Sequence, residues 1–315
     1  MFSGIHVIPH DTKINFLRFH KVTFLISVIM VVGSILLIAF KGLEFGVDFA
    51  GGILMEVKTE GPADLASMRE QLSELGLGEV ALQEFGAADT VLIRLQSQGD
   101  AEGAQIAAIQ KVKDSLGPTV QFRRSEYVGP KVGDELIRDA TIATVLALFG
   151  IMAYVWFRYE WQFAVNCIVA LFHDCITTVG LFALLGIQFD LNVVAAVLTI
   201  AGFSVNDTVV IYDRIREELR RYKKMPMREL INLSINRTLT RTIMTSGLAF
   251  LAVLALLLFG GPALRGFSLA MTWGIVIGTY STICVATPML VYMNLRRRKD
   301  DADPAPTPAG AIERR

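Results

Sequence analysis

The sequence predicts a polytopic α-helical membrane protein with six transmembrane helices and one α+β, ferredoxin-like domain inserted between helices 1 and 2. Three observations predict it. Hydrophobic residues make up 53% of the 315 residues at a mean hydropathy of +0.48, more apolar than an ordinary soluble domain, and they gather in long blocks. One polar stretch, Lys41 to Arg138, separates the first block from the rest. Basic residues crowd beside alternate ends of the blocks although the formal net charge is +0, and such asymmetry sets orientation in a bilayer.

The first block, Val22 to Phe40, follows Lys13, Arg18 and Lys21, which puts residues 1–21 on the cytoplasmic side. It is too long for a cleavable signal and ends without a small-residue cleavage site, so it reads as a retained span, 22–40. Residues 41–138 hold no apolar run able to cross about 30 Å of hydrocarbon, and they form a domain on the far side. Their pattern reads as strand Ile53–Lys58, helix Ala63–Leu75, strand Val80–Phe85, strand Val91–Gln96, helix Gly103–Leu116 and strand Thr119–Tyr127. That β-α-β-β-α-β order is the ferredoxin-like split motif. Leu65, Met68, Leu72 and Leu75 give the first helix its apolar stripe, with Pro62 before it and Gly76 after it. Such a fold points to a docking or binding module and to no chemistry of its own.

Five further blocks fall within residues 139–295, at about Ala140–Trp156, Phe163–Leu185, Leu191–Tyr212, Ile243–Phe259 and Phe267–Met293. The short turns Gly186–Asp190 and Gly260–Gly266 carry Arg265 as their one basic residue. The loop 213–240, in contrast, holds Arg214, Arg216, Arg220, Arg221, Lys223, Lys224, Arg228 and Arg237, and the tail opens Arg296-Arg297-Arg298-Lys299. Loop, tail and both termini are therefore expected to be cytoplasmic. The Pro/Ala-rich remainder of 296–315 reads as disordered. Cys167, Cys175 and Cys284 all lie in apolar blocks, so neither a disulfide framework nor a zinc spacing is expected.

Within these blocks the ionisable residues carry the functional signal. Asp207 sits in Gly202-Phe203-Ser204-Val205-Asn206-Asp207-Thr208-Val209-Val210, where insertion of a carboxylate costs about 2.5–3.5 kcal/mol, so it should face the bundle interior or a water-filled path. A rise of ~1.5 Å per residue from Leu191 places it roughly 24 Å into the span, in the cytoplasmic third, with Ser204 one turn above. Arg241 returns at a similar depth on the next span, on a face shared with Thr238, Thr242 and Thr245. It reads either as a snorkelling cation or as the partner of Asp207. Movement of a guanidinium toward or away from a carboxyl would release or load a proton. One charge crossing 100 mV is worth about 2.3 kcal/mol. The third span carries Asn166, His173, Asp174, Thr177 and Thr178 on one polar stripe. Asp174 reads as an interhelical hydrogen-bonding residue, and no metal site is expected, because the other histidines all precede the first span. Asp213-Arg214 reads as an interfacial charge pair. Gly202 with Asn206, and Gly274 with Gly278, have small-x-x-x-small spacing suited to close helix contacts.

Several motifs together resemble the SecF family of bacterial protein-translocase subunits, part of the SecD/SecF group in the wider resistance-nodulation-division superfamily. They are Gly46-Val47-Asp48-Phe49-Ala50-Gly51-Gly52, Val128-Gly129-Pro130-Lys131-Val132-Gly133, Ser204 to Val210 with Asp213-Arg214-Ile215-Arg216-Glu217, Arg237-Thr238-Leu239-Thr240-Arg241-Thr242 and Phe259-Gly260-Gly261-Pro262. The resemblance covers about Phe16 to Leu295. It implies a periplasmic domain at 41–138, pairing with SecD to complete a twelve-span bundle, and association with the SecYEG channel and YajC. It also implies handling of unfolded polypeptide in the bacterial inner membrane and no contact with nucleic acid. Proton coupling would fall on Asp207 and Arg241, supported by Asn206, Ser204, Asp174, His173 and Thr245, with a further acidic group from SecD. No cofactor beyond the proton gradient is implied, and no enzyme is expected, since no nucleophile pair, metal set or phosphate loop occurs. The competing readings are a half-size proton-coupled exporter of small molecules or lipids, and a scaffold without ion coupling.

Overall fold

The computed structural model describes residues 14–78, 80–85, 87–98, 102–118, 120–293 and 295; the segment before residue 14 and the tail from 296 lie outside the described residues. The chain runs α1 (His20–Phe40), α2 (Val47–Ala50), β1 (Gly52–Thr59), α3 (Leu65–Ser73), β2 (Val80–Phe85), β3 (Ala87–Leu95), α4 (Glu102–Leu116) and β4 (Val120–Val128). Then follow α5 (Pro130–Arg158), α6 (Trp161–Leu185), α7 (Leu191–Arg221), α8 (Met227–Phe259) and α9 (Arg265–Ser281). Among the described residues six helices are long and apolar enough to cross a membrane: α1, α5, α6, α7, α8 and the helix that begins with α9. Two of them run well beyond their apolar blocks. The stretch read as the loop 213–240 is helical apart from residues 222–226. Charge ended the apolar pattern without ending the helix, because buried Glu218 accepts from Arg214 one turn back (2.7 Å) and from Arg237 across the hairpin.

α9 does not continue as a regular helix to the end of its span. A π-helical turn, Thr282–Ala286, follows Ser281, and Pro288 lies just beyond. A proline lacks the N–H and crowds the carbonyl four residues back, so the ladder widens where it would otherwise clash. The Thr287 hydroxyl bonds the Thr282 carbonyl at 2.7 Å inside this turn.

The inserted domain is a four-stranded sheet in the order β2-β3-β1-β4, with each neighbouring pair antiparallel. This is the ferredoxin-like order. Alternation explains its core: Ile53, Met55 and Val57 of β1 and Val91, Ile93 and Leu95 of β3 pack beneath Met68 and Leu72 of α3 and Ala108, Val112 and Leu116 of α4. The opposite face, bearing Leu54, Glu56, Leu92, Arg124 and Glu126, looks across a cleft at the helix ends near Asp190 and Arg265.

Domain and bundle are joined at the root of β1. The Gly46 N–H bonds the Phe189 carbonyl at 2.9 Å and the Phe189 N–H bonds the Glu44 carbonyl at 2.7 Å, pinning residues 44–46 to the α6–α7 turn. Gly51 and Gly52 both take positive φ (68° and 114°), and a Cβ on Gly52 would lie 2.4 Å from the Leu95 carbonyl oxygen. On the other side of the bundle α1 lies against α6 so closely that a Cβ on Gly180 would meet Ser34 Cβ at 2.3 Å.

Candidate functional site

α7 is capped by two carboxylates at its domain-facing end. Asp190 Oδ1 accepts from the Val193 N–H at 2.9 Å, and Asp48 Oδ2, from the glycine-rich segment, accepts from the Leu191 N–H at 3.1 Å. Free N–H groups and the positive helix end favour both charges. Burial, reinforced by the Asp48 charge, raises the Asp190 carboxyl above its ordinary range. The helix that carries Ser204 and Asp207 is thus tied at its start to the segment that opens the sheet domain.

Four turns further on, Asp207 is 3% exposed and turned toward α8, where Ser246 Oγ donates to its Oδ2 at 2.8 Å. Its neighbour Thr208 meets Thr282, the first residue of the π turn, through hydroxyls 2.9 Å apart. Ser204, one turn earlier and about 60° around the helix, reaches a different neighbour, a cluster around Asp174. That carboxyl is fully buried at 0% exposure. Ser204 Oγ of α7 (2.6 Å) and Ser281 Oγ of α9 (2.8 Å) donate to its Oδ2, and His173 Nδ1 lies 2.9 Å from its Oδ1. One carboxyl thereby joins α6, α7 and α9. Gly274 and Gly278 allow it: a Cβ on Gly274 would sit 2.3 Å from Ile200, and one on Gly278 would sit 3.2 Å from Ser204 Cβ and 3.6 Å from Asp174 Oδ2.

The structure divides the residues singled out in the sequence. Asp174, His173, Ser204 and Asp207 are buried between helices. Arg241, Asn206 and Thr245 are exposed on the outer surface of this chain. Among the described residues Arg241 forms no ion pair with Asp207. Ser246 and Arg241 are five residues apart, so at ~100° per residue they point about 140° away from each other around α8. The buried polar stripe of α8 is Thr238, Thr242 and Ser246 at four-residue spacing, whereas Thr245 bonds back to the Arg241 carbonyl at 3.0 Å. Gly202 also faces outward, where an added Cβ would meet nothing within 4 Å, unlike Gly274 and Gly278. Asp213 and Arg214 do not pair with each other. Asp213 takes Arg158 at 3.3 Å and the Tyr159 hydroxyl at 3.0 Å, while Arg214 takes Glu217 and Glu218, each at 2.7 Å.

Ser246 and Ser281, which bond the Asp207 and Asp174 carboxyls, are the members of the candidate site that sequence reading missed. Their signal was present but weak: Ser246 continues the Thr238–Thr242 spacing, and Ser281 lies three residues after Gly278. A mid-membrane serine is affordable without a charged partner, since it can bond its own helix, so spacing alone does not single it out.

Residues 108–296 match the family model described as "Protein export membrane protein SecD/SecF, C-terminal", and residues 36–63 match the "SecD/SecF GG Motif". The second match contains Asp48, Gly51 and Gly52. The chain is 40% identical over 320 residues to the protein translocase subunit SecF of Rhodobacter capsulatus, covering 97% of this chain and 96% of that one. It is 43% identical over 300 residues to the same-named subunit of Rickettsia bellii, covering 94% and 98%. Among solved structures it resembles SecDF, a translocon-associated membrane protein from Thermus thermophilus, with a TM-score of 0.83, 34% identity and coverage of 91% of this chain. A SecDF structure in a super-membrane-facing form gives a TM-score of 0.63 at 33% identity and 90% coverage. The chain spans 39% of the length of each of those SecDF chains.

Proposed function

The chain belongs to the SecD/SecF family of protein-export membrane proteins, and from that footing we propose that it serves as the SecF-type subunit of the Sec translocation machinery. With SecD it uses the proton-motive force to promote passage of secretory proteins across the bacterial inner membrane. Both termini lie in the cytoplasm, and the sheet domain lies in the periplasm, as the basic residues of the α7–α8 hairpin favour. The names of the full-length relatives favour this reading over a half-size exporter of small molecules or lipids.

The observation that carries the coupling role is the buried Asp207 carboxyl, met by one hydroxyl, on a helix whose other end is capped by the root of the sheet domain. A proton gained or lost at Asp207 changes which packing of α7 against α8 is favoured. A shift of α7 then reaches the sheet domain through Asp48 and the pinned 44–46 segment. The two SecDF structures support such mobility. They share nearly the same identity and coverage with this chain but fit it with TM-scores of 0.83 and 0.63, a difference of shape.

The outward face of Thr199, Asn206, Arg241 and Thr245 supports a partner inside the membrane. A guanidinium left against lipid costs about 2.5–3.5 kcal/mol, so a second chain that offers an acidic or polar group there is favoured. We assign that place to SecD, with SecYEG and YajC as wider associates, and the emerging unfolded polypeptide as the object of the periplasmic domain. The test is reconstitution with SecD and SecYEG in vesicles. An imposed proton gradient should speed translocation only when this chain is present, and equal stimulation in its absence would refute the role.

Asp174 plays a different part, joining three helices. Asp174→Asn retains the shape of the side chain, but one of its two terminal positions becomes an amide N–H₂, which must face either the two serine donors or His173 Nδ1, at a cost of about 1–3 kcal/mol where a buried group is left unmet. The expected result is a lower melting temperature in detergent with secretion reduced less than by loss of Asp207. Complete loss of gradient-driven secretion at an unchanged melting temperature would move the proton site to α6.

A further inference from the structure

We propose that the cleft between the end of α5 and the last turns of α7 is a binding site for the headgroup of an anionic phospholipid. The cleft is lined by Arg158, Asp213, Arg216, Glu217, Arg220 and Arg221. Its two acidic residues are already matched: Asp213 by Arg158 and the Tyr159 hydroxyl, and Glu217 by Arg214 at 2.7 Å. Among the described residues no carboxylate lies within ion-pair distance of Arg216, Arg220 or Arg221. The cleft lining thus sets four guanidinium groups against two carboxylates, both already paired, and this excess of positive charge favours an incoming anion.

The site is built on a fixed floor. Tyr159 is 5% exposed, and its ring is held by Phe163 (6.2 Å) and Tyr212 (6.0 Å). Arg158 and Arg216 both lie over that ring, at 5.0 and 5.4 Å from its centroid, which restricts their freedom. Burial and the bond to Asp213 hold the Tyr159 hydroxyl well above the ordinary phenol range, so it stays protonated and keeps Asp213 in place.

Depth identifies the source of the phosphate. Trp156 and Trp161 flank the α5–α6 turn and are exposed, and tryptophans of this kind sit at the headgroup level of a bilayer. The cleft opens at the same level, beside the ends of two spans, where lipid phosphates are concentrated. Arginine forks match phosphate oxygens bidentately, so a phosphodiester carrying net negative charge is the occupant that fits, and a zwitterionic headgroup is not. This assignment does not depend on the export function.

The test uses the full chain purified in neutral detergent, with native mass spectrometry following retained phosphatidylglycerol, phosphatidylcholine and added inorganic phosphate. The unmodified chain should hold phosphatidylglycerol in preference to phosphatidylcholine. Combined Arg216→Gln, Arg220→Gln and Arg221→Gln should weaken that binding by roughly a hundredfold, as three basic contacts at a lipid surface would. A control that removes as many charges from the same hairpin but outside the cleft, Lys223→Gln, Lys224→Gln and Arg228→Gln, should change it by no more than about threefold at physiological salt. The single change Arg220→Gln, at an exposed position, gives a readout if the triple variant does not fold. Equal loss in the control would mean diffuse attraction and overturn the site. Competition by millimolar inorganic phosphate would make it a free-phosphate site, and no preference for phosphatidylglycerol would leave the cleft to an acidic protein. Either outcome overturns the proposal.

Discussion

Cells carrying Asp207→Asn in this chain should assemble the membrane complex at normal levels and lose the gradient-driven part of secretion. Asn has nearly the same volume and can still accept from Ser246, whose hydroxyl is the one hydrogen-bond partner of the Asp207 side chain among the described residues. Packing is therefore retained, and only the ability to take up and give off a proton is removed. One elementary charge moved through 100 mV is worth about 2.3 kcal/mol, and at about 1.4 kcal/mol per tenfold this corresponds to a bias of roughly fifty-fold in a two-state equilibrium. Secretion assayed with the gradient present should fall to the level seen when it is collapsed by an uncoupler. Export that remains fully sensitive to the uncoupler in the variant would show Asp207 to be structural.

Arg241→Met should produce a defect of similar size by a different route. Arg241 contributes little to the packing of this chain: its side chain is exposed, and the buried stripe of α8 is formed by Thr238, Thr242 and Ser246. Removing it should leave the stability of the isolated chain within about 0.5 kcal/mol of the original, the usual range for a surface position. In the assembled complex the loss should be large if Arg241 meets the partner as proposed, because the charge that acts on the Asp207 carboxyl has gone. Arg241→Lys should restore part of the activity, since charge returns without the planar fork. The pairing of unchanged stability in isolation with lost activity in the complex is the signature to look for. A variant that melts early by itself would place Arg241 in the packing instead.

The contrast between these two residues marks what could be read before the helices were packed. Asp207 announces itself, because a carboxylate in a span is costly wherever it points. The β-α-β-β-α-β order was legible for a similar reason: periods of 2 and 3.6 alternate cleanly from Ile53 to Tyr127, and the observed sheet order follows from that motif. Depth along a span was legible from residue count. Rotation about the helix axis was not. Thr238, Arg241, Thr242 and Thr245 read as one polar face, yet α8 buries the two threonines of the 238–242–246 line and turns Arg241 and Thr245 outward. Which line faces inward is decided by partners on other helices, as where Ser246 of α8 meets Asp207 of α7.

Hydropathy misjudged element ends in the same way. It stopped α7 near Tyr212 where charges begin, but Arg214, Glu218 and Arg237 hold the helix beyond that point. It also gave no sign of the π turn after Ser281, for which Pro288 was the only local mark. Asp174 is the instructive intermediate case. Its stripe of Asn166, His173 and Thr177 foretold that it faces inward, while its two serine donors come from helices 30 and 107 residues away in sequence. No local pattern specifies such pairings.

Whether Asp207 carries protons for export is tested most closely by measuring proton entry directly. Vesicles containing this chain with SecD and SecYEG, loaded with a pH-sensitive dye and given an imposed gradient during translocation of a secretory polypeptide, should acidify or alkalinise in step with the imposed gradient. Asp207→Asn should reduce that flux to the level of vesicles without the chain. Flux through Asp207→Asn equal to that of the unmodified complex would contradict the account.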